Sequence, residues 1–525
     1  MATTMHRQSR RPDWCNRPGT GARQALALAA LLACAGPAAA ERWAVEANVG
    51  SQITRTSNAL LEQAGPEAAD TVFALTTGIA LRGEGARLKL GGTAGLTAVT
   101  YADHTLDKRI LPYADLNARL EAIERLVYLE AGYRAAQTSA DPFGARPEAT
   151  SALDNVRTTS QWRFSPSLES AFGNNLRYRV RSDNTWTREI NTETSSQASD
   201  AGGYFGHHTA SIERDPVPFG WRIEAERTET RYDNSSVSDP LESEFVRVGA
   251  RYLIGPDLVV GLRVGSERNA FLPLDERRTT YGVDAQWRPS ERTALIAAVD
   301  DRFFGTGWDV KFTHRQPRWA LDVMLSRAID TTPQSVFLLP ASNNVAGLLD
   351  AMFTTRFPDA LQRLRVVQDY MAQQGLPGST LNPTVLYAQR LSVVTAQRVN
   401  LAFTGLRSSV AISGFVVRTR DALDSGPLAL GLASNNNTQY GGAIAFGHRL
   451  TALISFSAGI DWSSIQALET VSNADTKQRS ARVQLNALLA PKTNAYVGAR
   501  YRQLDSNVVN DGNERAIFIG ADHRF

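Results

Sequence analysis

Residues 176–186 read Leu-Arg-Tyr-Arg-Val-Arg-Ser-Asp-Asn-Thr-Trp. In an extended chain successive side chains point to opposite faces. Leu176, Tyr178, Val180 and Trp186 therefore share one face, and Arg177, Arg179, Arg181 and Asp183 share the other. A strand built this way has an oily side and a charged side. The same split returns with Val246, Val248, Ala250, Tyr252 and Ile254 against Arg247, Gly249 and Arg251, and with Tyr281, Val283, Ala285 and Trp287 against Gly282, Asp284, Gln286 and Arg288. Near the end, Val497, Ala499 and Tyr501 oppose Gly498, Arg500 and Arg502. Period-two alternation of this extent makes the chain all-β.

A soluble β-sandwich alternates as well, with its apolar face inside. Connection lengths separate the two architectures. Membrane barrels have short periplasmic turns and longer extracellular loops, in strict alternation. Short links lie at Gly83-Glu84-Gly85, Gly173-Asn174-Asn175, Gly255-Pro256-Asp257, Pro289-Ser290-Glu291 and Pro491-Lys492-Thr493. Longer polar stretches lie between them, at residues 141–155, 191–202, 232–244, 424–437 and 466–478. The rhythm predicts a transmembrane, antiparallel, up-and-down outer-membrane β-barrel of about 22 strands, an even number that leaves both ends in the periplasm. Trp43, Trp186, Trp287, Trp308, Trp319 and Tyr501 suit the aromatic girdles of such a barrel.

Residues 1–40 read as a secretory leader: Arg7, Arg10, Arg11, Arg17 and Arg23 precede an apolar run, Ala25 to Ala35, that ends in small residues. Ala38 and Ala40 place the cleavage before Glu41. A rival reading takes Leu31-Leu32-Ala33-Cys34 as a lipoprotein signal, with Cys34 the lipidated residue. The run is too short to span a bilayer as a helix, and no later segment qualifies. Both cysteines, Cys15 and Cys34, lie in the leader, so residues 41–525 have no disulfides or thiolate metal sites. Five Arg and one Asp of the leader account for the positive net charge, and the remainder lacks the concentrated basic face that a nucleic-acid partner requires. At the other end, Ile517, Ile519, Ala521, His523 and Phe525 fall on the outward register, with Phe518, Gly520, Asp522 and Arg524 inward. A terminal Phe behind alternating apolar residues is the pattern that barrel-assembly machinery reads, so that machinery and outer-membrane lipid are the expected partners. His523 is its least typical member.

The alternation stops between residues 331 and 386. Pro358 suits a first helical position, Gly375 the position past the end, and Pro377 forbids continuation. Leu361, Leu364, Val367 and Met371 form one apolar stripe on the helix so defined, Pro358 to Gln374. Val345 to Phe353 gives a second, short helix. Strand parity puts this insert on the extracellular side. A barrel of this size has a wide lumen, and no plug domain precedes the first strand near Trp43. Two readings follow: the insert narrows the pore, or it packs on neighbouring loops as a surface flap.

No catalytic constellation emerges. His207 and Ser211 share a strand face but lie roughly 13 Å apart at about 3.3 Å per residue, beyond hydrogen-bond reach. The His residues show no close metal-ligating spacing beyond the His207-His208 pair, and no cofactor is expected. The inward charge stands out: Arg177, Arg179, Arg181, Arg222, Arg247, Arg251 and Arg263, with Glu224, Glu226, Asp284 and Asp309 nearby. It reads as a mutually neutralising lumen wall, or as a basic strip that selects anions.

Four blocks carry a family resemblance: Asp141-Pro142-Phe143-Gly144, the run from Arg163 through Leu168 leading to Leu176-Arg177-Tyr178-Arg179, the insert ending Gly375-Leu376-Pro377, and Asn513-Glu514-Arg515. Together they resemble the PEP-CTERM/exosortase-associated outer-membrane β-barrel proteins. The resemblance implies an outer-membrane location in bacteria that sort proteins by exosortase and often make exopolysaccharide, and it implies no catalytic residues. The expected function is a porin-like channel or export conduit of such a system, carrying polysaccharide or a small solute. The alternatives are a non-conducting barrel that assembles or anchors envelope partners, and an outer-membrane hydrolase.

Overall fold

The computed structural model describes residues 42–61, 69–141, 143–148, 150–173, 175–190, 202–233, 240–271, 274–330, 345–358, 360–374, 376, 392–422, 436–468 and 473–525. The expected leader and cleavage site, residues 1–41, lie outside the described residues.

The strands are β1 (Arg42–Thr56), β2 (Asp70–Glu84), β3 (Leu88–Tyr101), β4 (Arg109–Ile123), β5 (Val127–Ser139), β6 (Val156–Phe172), β7 (Leu176–Ile190), β8 (Gly203–Arg214), β9 (Phe219–Tyr232), β10 (Leu241–Ile254) and β11 (Leu258–Phe271). They continue as β12 (Leu274–Ser290), β13 (Thr293–Arg302), β14 (Gly305–Gln316), β15 (Trp319–Asp330), β16 (Ser392–Thr404), β17 (Ser408–Asp421), β18 (Asn437–Arg449), β19 (Ile454–Ala467), β20 (Asp475–Ala490), β21 (Thr493–Ser506) and β22 (Gly512–Arg524). Every strand pairs antiparallel with its neighbours in sequence, and β1 pairs with β22, from Asn48↔Arg524 to Thr56↔Ala516. One 22-stranded sheet thus closes on itself with no free edge, the condition for a sheet to exist in lipid. Among the described residues no helix is long and apolar enough to cross a membrane; the strands make the crossing.

The alternation sorts as the sequence requires. On β22 Ile517 and Ile519 are 66% and 58% exposed, while Phe518 between them is 1% exposed. Exposed Val45, Leu75, Val248, Leu262, Ile460 and Val483 continue the outer apolar belt around the wall. Trp43, Phe172, Phe219, Tyr252, Trp287 and Phe403 mark its lower rim. Apolar side chains facing outward all round a closed barrel have no partner but lipid, and the protein is an outer-membrane β-barrel.

Two extracellular links depart from the short-long rhythm: β11–β12 and β13–β14 are joined as tightly as the periplasmic turns. His523 is accommodated by a hydrogen bond between its Nδ1 and Thr493 Oγ1 at 2.9 Å, with its ring edge-on to Phe525 at 4.7 Å. The insert contributes α1 (Val345–Phe353) and α2 (Ala360–Gln374). The second helix begins at Ala360 rather than at Pro358, so the proline stands before the first turn instead of within it.

Candidate functional site in the barrel lumen

Three structures occupy or line the lumen: a charged wall, an inward extracellular loop, and the helical insert.

The wall runs over β5 to β13. Arg177 contacts Glu213 at 3.2 Å, Arg179 contacts Glu169 at 3.1 Å, and Arg181 reaches Glu130 and Asp183, both at 2.8 Å. Arg222 pairs with Glu224 at 3.1 Å. Arg247 lies between Glu224 at 3.3 Å, Glu226 at 3.6 Å and Asp300 at 3.4 Å. Arg251 holds Asp284 at 2.9 Å. Arg263 grips Asp300 through Nε and Nη2, both at 2.8 Å, the two-pronged geometry that suits a guanidinium and a carboxylate. Glycines on the same face make the room. A β-carbon at Gly282 would stand 2.0 Å from Asp300 Oδ1, and one at Gly261 would stand 2.6 Å from Asp284 Oδ1. Every cation of this set has a carboxylate, which corresponds to the neutralising wall and not to a strip of free cations. Nearer the periplasm a cavity of about 350 Å³ is bordered by Glu84, Lys89, Asn117, Arg119, Glu130 and Arg163. Asp309, also named from the sequence, stands apart from the ion-paired set; its strand partner is Ala298.

The second structure is the β5–β6 loop, residues 140–155, which folds into the extracellular half of the lumen. Asn155 ties its base, donating to the carbonyls of Asp141 and Ala145, both at 2.8 Å, while the Asp141 amide donates to Asn155 Oδ1. Its outer arm docks on the inner wall of β19 to β22. Thr476 donates to the Phe143 carbonyl at 2.9 Å, Gln478 to the Gly144 carbonyl at 2.9 Å, and Arg146 Nη2 to Ser463 at 2.8 Å. At the centre Arg500 contacts Glu514 at 2.6 Å and Glu148 at 2.9 Å, and Arg502 donates to Ser151 Oγ at 2.7 Å. Arg502 also donates to the Arg146 carbonyl. Thr56 and Ser151 donate to the two Glu514 oxygens at 2.9 and 3.2 Å. Glu514 is 0% exposed, Arg500 4% and Arg502 3%. Burial alone would push the Glu148 carboxyl up, yet Arg502 and then Arg500 hold it below the usual carboxylate range. Burial pushes the Arg146 guanidinium down. Leu153 packs with Ala59, Val72, Val99 and Tyr101 on the opposite flank, and the Ala152 amide donates to the Ala59 carbonyl at 2.8 Å.

The third structure is the insert. It leaves the barrel at the extracellular end of β15, as strand parity requires, but α1 and α2 pack inside the lumen. Val345, Leu349, Met352, Val367 and Leu376 bury against Ala320, Ala402, Ala411 and Ala445. These alanines sit near the periplasmic ends of β15 to β18, and their size leaves space for the helices. Gly447 belongs to the same seat: a β-carbon there would lie 2.4 Å from the Gln374 carbonyl oxygen. Arg363 joins the helices through Asp350 at 2.7 Å. Arg82 of β2 donates to Gln368 of α2 at 3.0 Å, although β2 is separated from β19 by β20, β21, β22 and β1. The helices therefore reach across the lumen. Of the predicted stripe, Val367 is buried and Met371 packs beside it; the side chains of Leu361 and Leu364 lie outside the described residues.

His207 bonds Glu226 at 3.1 Å, and its Ser211 neighbour takes no part. Hydroxyl–imidazole pairs do meet across neighbouring strands, at Ser182–His208, Thr293–His314, Ser408–His448 and Thr493–His523. All four are on the outward face, and their recurrence with either hydroxyl residue makes them the means by which a lipid-facing imidazole is satisfied. Among the described residues no group of three or more His, Cys, Asp or Glu side chains could hold a metal ion.

Sequence reasoning did not anticipate the Arg500–Glu514–Glu148 cluster. Part of the signal was present: the block Asp141 to Gly144 opens the loop that carries Glu148, and the block Asn513 to Arg515 holds Glu514.

No family model matches the chain, and no curated protein does. Among solved structures, the FrpB iron transporter from Neisseria meningitidis shares 9% identity, covering 91% of this chain and 81% of that one, with a TM-score of 0.44. A ferric enterobactin receptor (PfeA) mutant from Pseudomonas aeruginosa shares 9% identity over 92% and 80%, with a TM-score of 0.42. OpdO from Pseudomonas aeruginosa shares 11% identity over 92% and 97%, with a TM-score of 0.32. Likenesses this distant carry no argument about function.

Proposed function

We propose that the protein is a porin-like conduit whose lumen is narrowed by its own segments, passing a hydrophilic solute along the charged wall of β5 to β13. One observation carries this reading: the insert helices sit inside the barrel on Ala320, Ala402, Ala411 and Ala445, where an extracellular flap would not reach. The ion-paired wall offers donors and acceptors without a strong net field, which suits a polar chain or a neutral solute better than a simple ion. Exopolysaccharide is the solute class in keeping with the resemblance to exosortase-associated barrels.

A second reading is a non-conducting barrel that serves envelope partners. It is favoured by the two closures at opposite ends, the β5–β6 loop above and the insert below. Conductance of the purified protein in planar bilayers, with and without residues 333–382, separates the two. The conduit reading expects small or rare events in the intact protein and large, steady ones after the deletion. Silence from both forms, with the barrel folded, would refute it.

A further inference from the structure

The outer wall carries charge of two kinds just above its apolar belt. On β9 to β11 the charges cancel: Arg227 contacts Glu242 at 2.9 Å and Glu244 at 3.7 Å, and Arg268 contacts Glu244 at 3.8 Å. On β17 to β20 they do not. The outward apolar run of β17, ending at Val416, gives way to exposed Arg418 and Arg420. On β20 the run through Leu485 and Val483 gives way to exposed Arg479 and Lys477. Between these strands, Tyr440 of β18 and Trp462 of β19 hold their rings 5.8 Å apart in an edge-on pair, the signature of a membrane interface. Lys477 contacts Asp475 at 3.0 Å, and Gln503 donates to Asp505 across from it. Among the described residues Arg418, Arg420 and Arg479 have no carboxylate partner.

We propose that this sector binds the phosphorylated headgroup of an outer-leaflet glycolipid. The aromatic pair fixes the level of the headgroups, and strands of odd number rise to the extracellular side, so the cations stand at the outer leaflet. Among the described residues three guanidiniums and an ammonium face two carboxylates there, an excess of positive charge at a surface where lipid phosphates are the available anions. Guanidinium groups take phosphate oxygens in pairs, and the rings beneath pack on the sugar–acyl junction. The β9 to β11 sector, elsewhere on the wall and with its own carboxylates, offers no such demand.

The experiment uses the full-length protein in detergent micelles, with diphosphoryl lipid A, its dephosphorylated form and inorganic phosphate as probes. The triple variant R418Q/R420Q/R479Q is expected to bind diphosphoryl lipid A roughly tenfold more weakly or worse, and R479Q alone to show part of that loss. The dephosphorylated lipid should bind both proteins weakly, millimolar inorganic phosphate should not displace the lipid, and R227Q/R268Q should match the wild type. Wild-type affinity in the folded triple variant would overturn the proposal, as would an equal loss in R227Q/R268Q or full displacement by inorganic phosphate. Should the triple variant fail to fold, R479Q carries the test in the same terms.

Discussion

Arg500 and Glu514 face each other on adjacent strands at 2.6 Å, both withdrawn from water, and Glu148 of the β5–β6 loop completes the cluster from above. Arg500 and Arg502 are balanced by Glu514 and Glu148, so removing Glu514 leaves one buried guanidinium charge uncompensated, at about 3–5 kcal/mol. Glu514→Gln is expected to lower the unfolding free energy by roughly that amount, as measured by denaturant titration in micelles. A loss below about 1 kcal/mol, the range of exposed pairs, would mean that water reaches the site.

Loop docking should depend on pH in a defined direction. Glu148 is held below its ordinary value of 4.5, so its contribution is fully present above that value and is lost as pH falls through its lower folded-state value. Hydrogen exchange of the Ala152 amide, which donates to the Ala59 carbonyl, should stay slow, after correction for the intrinsic pH dependence of exchange, from neutral pH down to mildly acidic conditions. It should quicken only below the ordinary carboxylate range, and in Glu148→Gln it should be fast at every pH. Protection independent of pH in the wild type would contradict the assignment.

The insert should be dislodged by a substitution that touches only its seat. Gly447→Val drives a β-carbon into the Gln374 carbonyl, whereas Gly459→Val, also lumen-facing, meets nothing nearer than 3.8 Å. Overpacking of this kind costs about 1–3 kcal/mol where neighbours cannot give. Because the insert can give, the expected outcome is displacement of α2, seen as larger bilayer conductance for Gly447→Val and an unchanged value for Gly459→Val.

Selectivity should follow the ion-paired wall. Asp300→Asn strips Arg263 of its two-pronged partner and leaves Arg247 to Glu224 and Glu226. Reversal potentials across a salt gradient should shift toward anion preference, most clearly at low ionic strength. Asp301→Asn, which affects only the exposed pair with Arg278 at 2.8 Å, should leave them unchanged.

The barrel was legible because each of its strands obeys a local rule. Leu176 to Trp186 declares two faces without reference to any other residue, and Gly255-Pro256-Asp257 declares a turn. The terminal register was equally local, down to Phe518 inward and Phe525 outward. What could not be read is what depends on shape: that Ala320, Ala402, Ala411 and Ala445 form a seat, and that a loop rich in ordinary polar residues folds inward instead of outward. An alanine in a strand carries no sign of the helix it will receive. Glu148 and Glu514 are hundreds of residues apart, and only closure of the sheet makes them neighbours.

The β5–β6 loop touches both margins of the place where the sheet closes. On one side it bonds Ala59, just past the first strand; on the other it is held by Arg500, Arg502 and Glu514 of the last two. It is thus a keystone laid across the seam. An unfinished barrel offers it no socket, since half the socket arrives with the final strand. Its seating therefore marks the completion of assembly, and any later parting of the first and last strands must first lift it out.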